Sequence, residues 1–139
     1  MSLIAAALVM AAQAVTKPNP LPPCDRARAE RGVQSAMNFC AHRDYLKADR
    51  ALNAQWKKTA AAMRAMDRGD FVPDDGRPTY FDTLLKSQRA WIAYRDAHCA
   101  SAGYQARGGT MEPMLVSFCL TDLTQERTKQ LRELAESPE

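Results

Sequence analysis

The sequence predicts an all-α fold: a small helical bundle stapled by disulfides, with three long helices and a short N-terminal one. Three observations predict it. Neither glycine nor proline occurs between Gly32 and Gly69, from Thr79 to Ala102, or from Met114 to Ser137. Three long windows are therefore free of the residues that most disfavour helix. The windows are rich in Ala, Leu, Met, Lys, Arg and Gln, which are good helix formers, and no segment sustains the apolar–polar alternation of a strand. The four cysteines, an even number with no Cys-x-x-Cys pair, supply the staples. With 139 residues the chain is one ordinary domain, long enough to bury a core of its own.

Taken in order, the chain opens on the apolar run Leu3 to Ala12, too short for the roughly 20 residues that cross a bilayer. It is expected to be the core of a signal peptide, residues 1–14, cleaved after the small-x-small site Ala12-Gln13-Ala14. Residues 15–23 form a proline-stiffened extended arm ending Leu21-Pro22-Pro23, without the small residues that precede a lipid-modified cysteine. The helical domain then occupies residues 24–139.

In the first window Tyr45, Leu52, Trp56, Met63 and Met66 recur at helical spacing and form one core-facing stripe. A break near His42 to Asp44 is expected to separate a shorter helix carrying Met37 and Cys40. The second window places Phe81, Leu84, Leu85, Trp91 and Ile92 on one face. The third does so with Val116, Leu120, Leu123, Leu131 and Leu134. Gly108-Gly109 bend the chain ahead of the last helix, and Pro113 suits its first turn, where a missing N–H costs nothing.

The cysteines, Cys24, Cys40, Cys99 and Cys119, allow three pairings, of which the two local ones, Cys24 with Cys40 and Cys99 with Cys119, are favoured. Each would close a loop worth roughly 3 kcal/mol by chain-entropy reasoning. Crosslinks agree with an oxidising compartment, periplasmic or secreted. A metal would need His42 and His98 to join the cysteines, and none is expected.

Several polar residues fall on the apolar stripes. Asp49 follows Tyr45, Gln88 and Arg95 flank Trp91, and Arg127 sits between Leu123 and Leu131. An unpaired charge in a helical core is costly, so these groups should find one another: Asp49 with Arg127 or Arg95, and Gln88 or Asn53 completing the hydrogen bonds. The expected role is a structural network that fixes helix register, and Asp49→Ala should lower the melting temperature sharply. Arginine neighbours would make Asp49 a poor acid and a weak base. The chain has no Gly-x-Ser-x-Gly elbow, no His-Glu-x-x-His and no glycine-rich phosphate loop. No catalytic residue and no cofactor is expected, so the chain reads as a binding protein rather than an enzyme.

The pattern of Gln34, Met37-Asn38, Cys40-Ala41, Tyr45, Ala48-Asp49 and Leu52-Asn53 is followed by Gln88-Arg89-Ala90-Trp91 running to Arg95-Asp96-Ala97-His98-Cys99. Gly108-Gly109-Thr110, Cys119, Thr124, Arg127 and Leu131 complete it. In this the sequence resembles the LprI-like lysozyme-inhibitor family of small exported bacterial domains, over about Cys24 to Leu134. The resemblance implies an exported helical domain with paired cysteines and, for at least one branch, binding and inhibition of lysozyme. It carries over no catalytic residue.

The net charge of +3 is too small for a nucleic-acid binder. It is unevenly spread: Cys24 to Arg68 sums to +5, whereas Gly69 to Asp82 sums to −3, with Asp70, Asp74, Asp75 and Asp82 against Arg77 alone. Animal-type lysozymes are strongly basic, so this acidic loop is the candidate partner-binding segment. The alternative function is a cell-envelope structural or stress protein. In it a basic helix from Arg43 to Lys58, bearing Lys47, Arg50 and Lys57, lies against anionic surface polymers or lipid headgroups.

Overall fold

A computed structural model describes residues 19–136. The proposed signal segment, residues 15–18 of the arm and residues 137–139 lie outside the described residues. Four α-helices follow one another: α1 (Arg26–Glu30), α2 (Gln34–Asp67), α3 (Tyr80–Gly103) and α4 (Glu112–Glu136), with one 3-10 turn at Tyr104–Ala106.

Helix α1 starts where the Asp25 carboxylate accepts a hydrogen bond from the Arg28 N–H at 2.9 Å. It stops at Gly32, whose φ of +81° lets its N–H donate to the Ala29 carbonyl and the Val33 N–H to that of Arg28. This is the short N-terminal helix, and it lies ahead of the expected one. Helix α2 runs unbroken through Met37, Cys40 and His42–Asp44, so the anticipated interruption is corrected. Its physical reason is placement. His42 points to solvent and Asp44 pairs with Arg26 at 2.7 Å, so the polar run is the outer face of a continuous helix. At 1.5 Å per residue α2 is about 51 Å long.

Helices α2 and α4 run parallel and make the most extensive contact, with α3 antiparallel to both. At one end Gln34 Nε2 lies 3.8 Å from Met114 Sδ, and Asn38 donates to the Thr110 carbonyl at 2.9 Å. Towards the other end the Thr59 hydroxyl donates to the Leu131 carbonyl at 2.7 Å. Buried Ser117, Thr124, Thr128 and Leu131 form the α4 side, while Ala41, Ala48, Leu52, Gln55 and Thr59 are buried on α2. Small side chains allow close backbone approach; the Thr128 and Thr121 hydroxyls bond one turn back, to the Thr124 and Ser117 carbonyls, each at 2.8 Å, whereas the Thr124 hydroxyl is buried without a hydrogen-bond partner among the described residues.

The apolar core, Leu52, Met63, Leu84 and Leu131 with Trp56, Phe81 and Trp91 against it, closes the middle and the far end of the bundle. Three stripe residues stay outside it: Met66, Ile92 and Leu134 are exposed, a correction to the expected faces. Tyr45, Leu85, Val116, Leu120 and Leu123 are half-buried. Cys24 is bonded to Cys40 and Cys99 to Cys119. Both bridges therefore fasten the end where α2 and α4 begin and α3 finishes. Gly103 lies in the same region: a Cβ there would sit 2.4 Å from Val116 Cγ2, so α3 and α4 converge only because the side chain is absent.

Candidate functional site

Helix α3 carries the polar residues that break its apolar face. Gln88 and Arg95 are buried, whereas Asp49 and Arg127 are half-exposed, so two of the four sit nearer the surface than their register suggests. They form two groups. In the first, Arg95 Nη1 lies 3.8 Å from Asp49 Oδ1, Arg95 Nε donates to Asp96 Oδ1 at 2.9 Å, and Asn53 donates to Asp49 at 3.0 Å. In the second, Arg127 donates to Gln88 Oε1 at 2.9 Å, to Ser87 Oγ at 2.7 Å and to Gln130 at 3.2 Å. Asp49 thus faces Arg95 and not Arg127.

The Trp91 ring joins the groups. The Arg95 guanidinium lies 5.0 Å from its centroid, and the Arg127 guanidinium 5.9 Å. Burial pushes Arg127 below the usual arginine range. Burial raises the Tyr45 phenol, 5.7 Å from Arg95; Arg95 opposes this, and the Asp49 and Asp96 carboxylates add to it. The carboxylates and guanidiniums face one another and leave no nucleophile with an adjacent base, an arrangement that can hold helices but shows no acyl- or glycosyl-transfer geometry.

The other end of the bundle is different. Residues 68–79 connect α2 to α3, and every one of them is exposed. Asp67 fixes where this loop leaves and returns: its carboxylate accepts from the Tyr80 N–H at 2.7 Å and the Phe81 N–H at 3.1 Å, while Thr79 Oγ1 caps Asp82 N–H at 3.0 Å. Within the loop Asp75 accepts from the Arg77 backbone at 3.0 Å and from Arg77 Nε at 2.6 Å, with Gly76 at φ +73° between them. The Arg77 side chain, helped by its backbone N–H, holds the Asp75 carboxyl below the usual carboxylate range. Arg77 thus neutralises Asp75. Asp70, Asp74 and Asp82 have no side-chain partner among the described residues.

Beside these carboxylates lies apolar surface. Phe71 is 95% exposed, and Met66, Val72, Tyr80 and Leu134 are also exposed at this end. An open cleft of about 760 Å³, lined by Met63, Val72, Pro73, Tyr80, Leu84 and Leu134, runs between the loop, α3 and α4. Charge arithmetic could find the carboxylates, but a single aromatic in a polar linker carries no period, and Phe71 went unnoticed in the sequence.

The residues of the expected basic helix recur at helical spacing along one side of α2. Arg43 is half-buried, its Nε without a hydrogen-bond partner among the described residues, and Arg50 donates to the Asn19 carbonyl. Lys47, Lys57 and Lys58 remain exposed. Among the described residues no group of three or more His, Cys, Asp or Glu is placed to hold a metal ion, and no helix is long and apolar enough to cross a membrane.

Residues 24–131 match the family described as Lysozyme inhibitor LprI. The chain is also 48% identical over 122 residues to an uncharacterized protein of Rhizobium meliloti (strain 1021), a match covering 86% of this chain and 84% of the relative. No solved structure matches the chain.

Proposed function

The chain belongs to the LprI lysozyme-inhibitor family, and from that premise we propose that it is an exported binding module that occupies a basic lysozyme and stops it hydrolysing the cell wall. The observation that carries this reading is the exposed α2–α3 loop with the first turn of α3, where Asp70 and Asp74 in the loop and Asp82 in the helix present carboxylates without a side-chain partner among the described residues. Concentrated negative charge at one pole steers a basic partner and speeds encounter even though the chain as a whole is +3. Export is supported by the two disulfides, which persist in oxidising compartments, and by the signal-like residues 1–14. The function then resides in surface complementarity and needs neither catalytic residue nor cofactor.

The test is titration of the purified mature protein into an animal lysozyme and a bacterial one while cell-wall lysis is followed, with binding measured at two salt concentrations. Stoichiometric suppression of the basic enzyme, weakening as salt rises, is expected. Undiminished lysis by both enzymes at tenfold excess would overturn the reading.

A further inference from the structure

We infer that Phe71 is the apolar anchor of the partner contact: it enters the glycan-binding cleft of a basic lysozyme while Asp70, Asp74 and Asp82 meet the basic rim around it. The inference rests on the inhibitor reading above and specifies how that contact is made.

The argument begins with what Phe71 does not do. At 95% exposure it contributes almost nothing to this fold, and no ring or cation contact to it exists among the described residues. Removing a phenyl group from water is favourable, so this ring holds binding energy that folding has not used. Val72, next in sequence, and Met66 in the last turn of α2 are exposed as well. Apolar surface ringed by polar groups marks a contact site, and aromatic anchors desolvated at the centre of an interface dominate its energy.

Preorganisation adds to this. Both loop ends are tied at Asp67, and the Asp75–Arg77 turn orders the stretch after Asp74, so part of the chain entropy a free loop would lose on binding is already spent. Charge chooses the partner. Asp70 adjoins Phe71 directly, with Asp74 three residues on and Asp82 beyond the loop in the first turn of α3. That arrangement suits a basic surface with a concave apolar centre.

Charge also decides which group enters. A glycosidase cleft cuts its substrate between two carboxyl groups. An inhibitor carboxylate driven between them would meet like charge in a poorly solvated site, whereas a phenyl ring meets no such penalty and can replace a sugar face. Phe71 therefore goes in and the aspartates remain outside.

The experiment compares the full mature chain with Phe71→Ala, Phe71→Leu and the pair Asp70→Lys with Asp74→Lys. Each is titrated against a basic animal lysozyme, with and without an N-acetylglucosamine oligomer filling the cleft. Phe71→Ala should raise the inhibition constant at least tenfold, chiefly through faster dissociation, with Tm unchanged. Phe71→Leu should stay within about threefold of wild type. The lysine pair should slow association and remove its salt dependence, and the oligomer should compete with the wild-type chain. An inhibiting wild type with Phe71→Ala within twofold of it overturns the anchor and leaves the inhibitor reading standing, as does binding indifferent to the oligomer. A wild type that inhibits no lysozyme overturns both. Dimerisation abolished by Phe71→Ala, with inhibition unchanged, overturns the anchor by assigning the ring to the cleft of a second copy.

Discussion

Asp67, at the last position of α2, accepts the Tyr80 backbone N–H at 2.7 Å across an excursion of 13 residues, and with it the Phe81 N–H at 3.1 Å. One carboxylate thereby caps the following helix and sets the mouth of the loop. Asp67→Ala should remove about 1–2 kcal/mol of stability, the range of a lost N-cap. Thermal unfolding measures this. Hydrogen exchange at Tyr80 and Phe81 should accelerate more than at residues in the middle of α3, and uniform acceleration would argue against a local tether.

Gly103 permits the approach of α3 to α4. Gly103→Ala should destabilise by about 1–3 kcal/mol, since the new methyl would overlap Val116 Cγ2 and force a shift. Combining it with Val116→Ala should recover part of the loss, and a double-mutant cycle of melting curves reads that coupling. Strict additivity would place the strain elsewhere.

The polar groups on α3 are unequal. Arg95 is buried, packed over Tyr45 and Trp91, while Asp49 is half-exposed and only loosely paired at 3.8 Å. Arg95→Ala should cost about 2–3 kcal/mol, through lost packing as much as lost charge. Asp49→Ala should cost less than about 1 kcal/mol, because a screened pair near the surface contributes little. This revises the sharp loss expected from sequence, and chemical denaturation of both variants checks the order.

How much was legible depends on the signal each feature leaves. Glycine and proline marked the long helices because both residues act on the backbone directly and locally. The short N-terminal helix was expected but its place was not legible, since the five residues of α1 between Cys24 and Gly32 are too few to show a period. The hydroxyl-lined seam between α2 and α4 was missed for another reason. Leucine and valine draw attention as core residues, yet Ser117, Thr124 and Thr128 are buried in their place, while Val116, Leu120 and Leu123 are half-buried beside them. That Asp49 would face Arg95 was one of two readable options; the choice depended on the phase of α3, which spacing alone leaves free. The loop carboxylates were readable as charge. Phe71 acquired meaning only once its neighbours were known to leave it uncovered.

Reduction should reveal what the bridges contribute. Replacing Cys99 and Cys119 by serine should lower stability by about 2–4 kcal/mol, and reductant should lower it further only through the remaining Cys24–Cys40 bridge. Melting with and without a thiol reductant provides the measurement. Because Cys99 is fully buried, the single Cys99→Ser change should be worse than Cys119→Ser.

Alkaline pH should weaken the Tyr45 region. Its phenol is raised by burial, so its contribution is fully present below the ordinary tyrosine pKa of about 10 and is lost as pH climbs through the higher folded value. Above pH about 10 the wild type should lose stability relative to Tyr45→Phe, measured by urea unfolding. Parallel pH profiles for the two proteins would contradict this.

Both covalent clasps sit at one pole and the exposed linker at the other, like tongs riveted at a single end. The riveted pole keeps the rods in register whatever happens at the tips. The exposed tip between Arg68 and Thr79 can therefore be recut with little folding penalty, because the handle holds its shape without it.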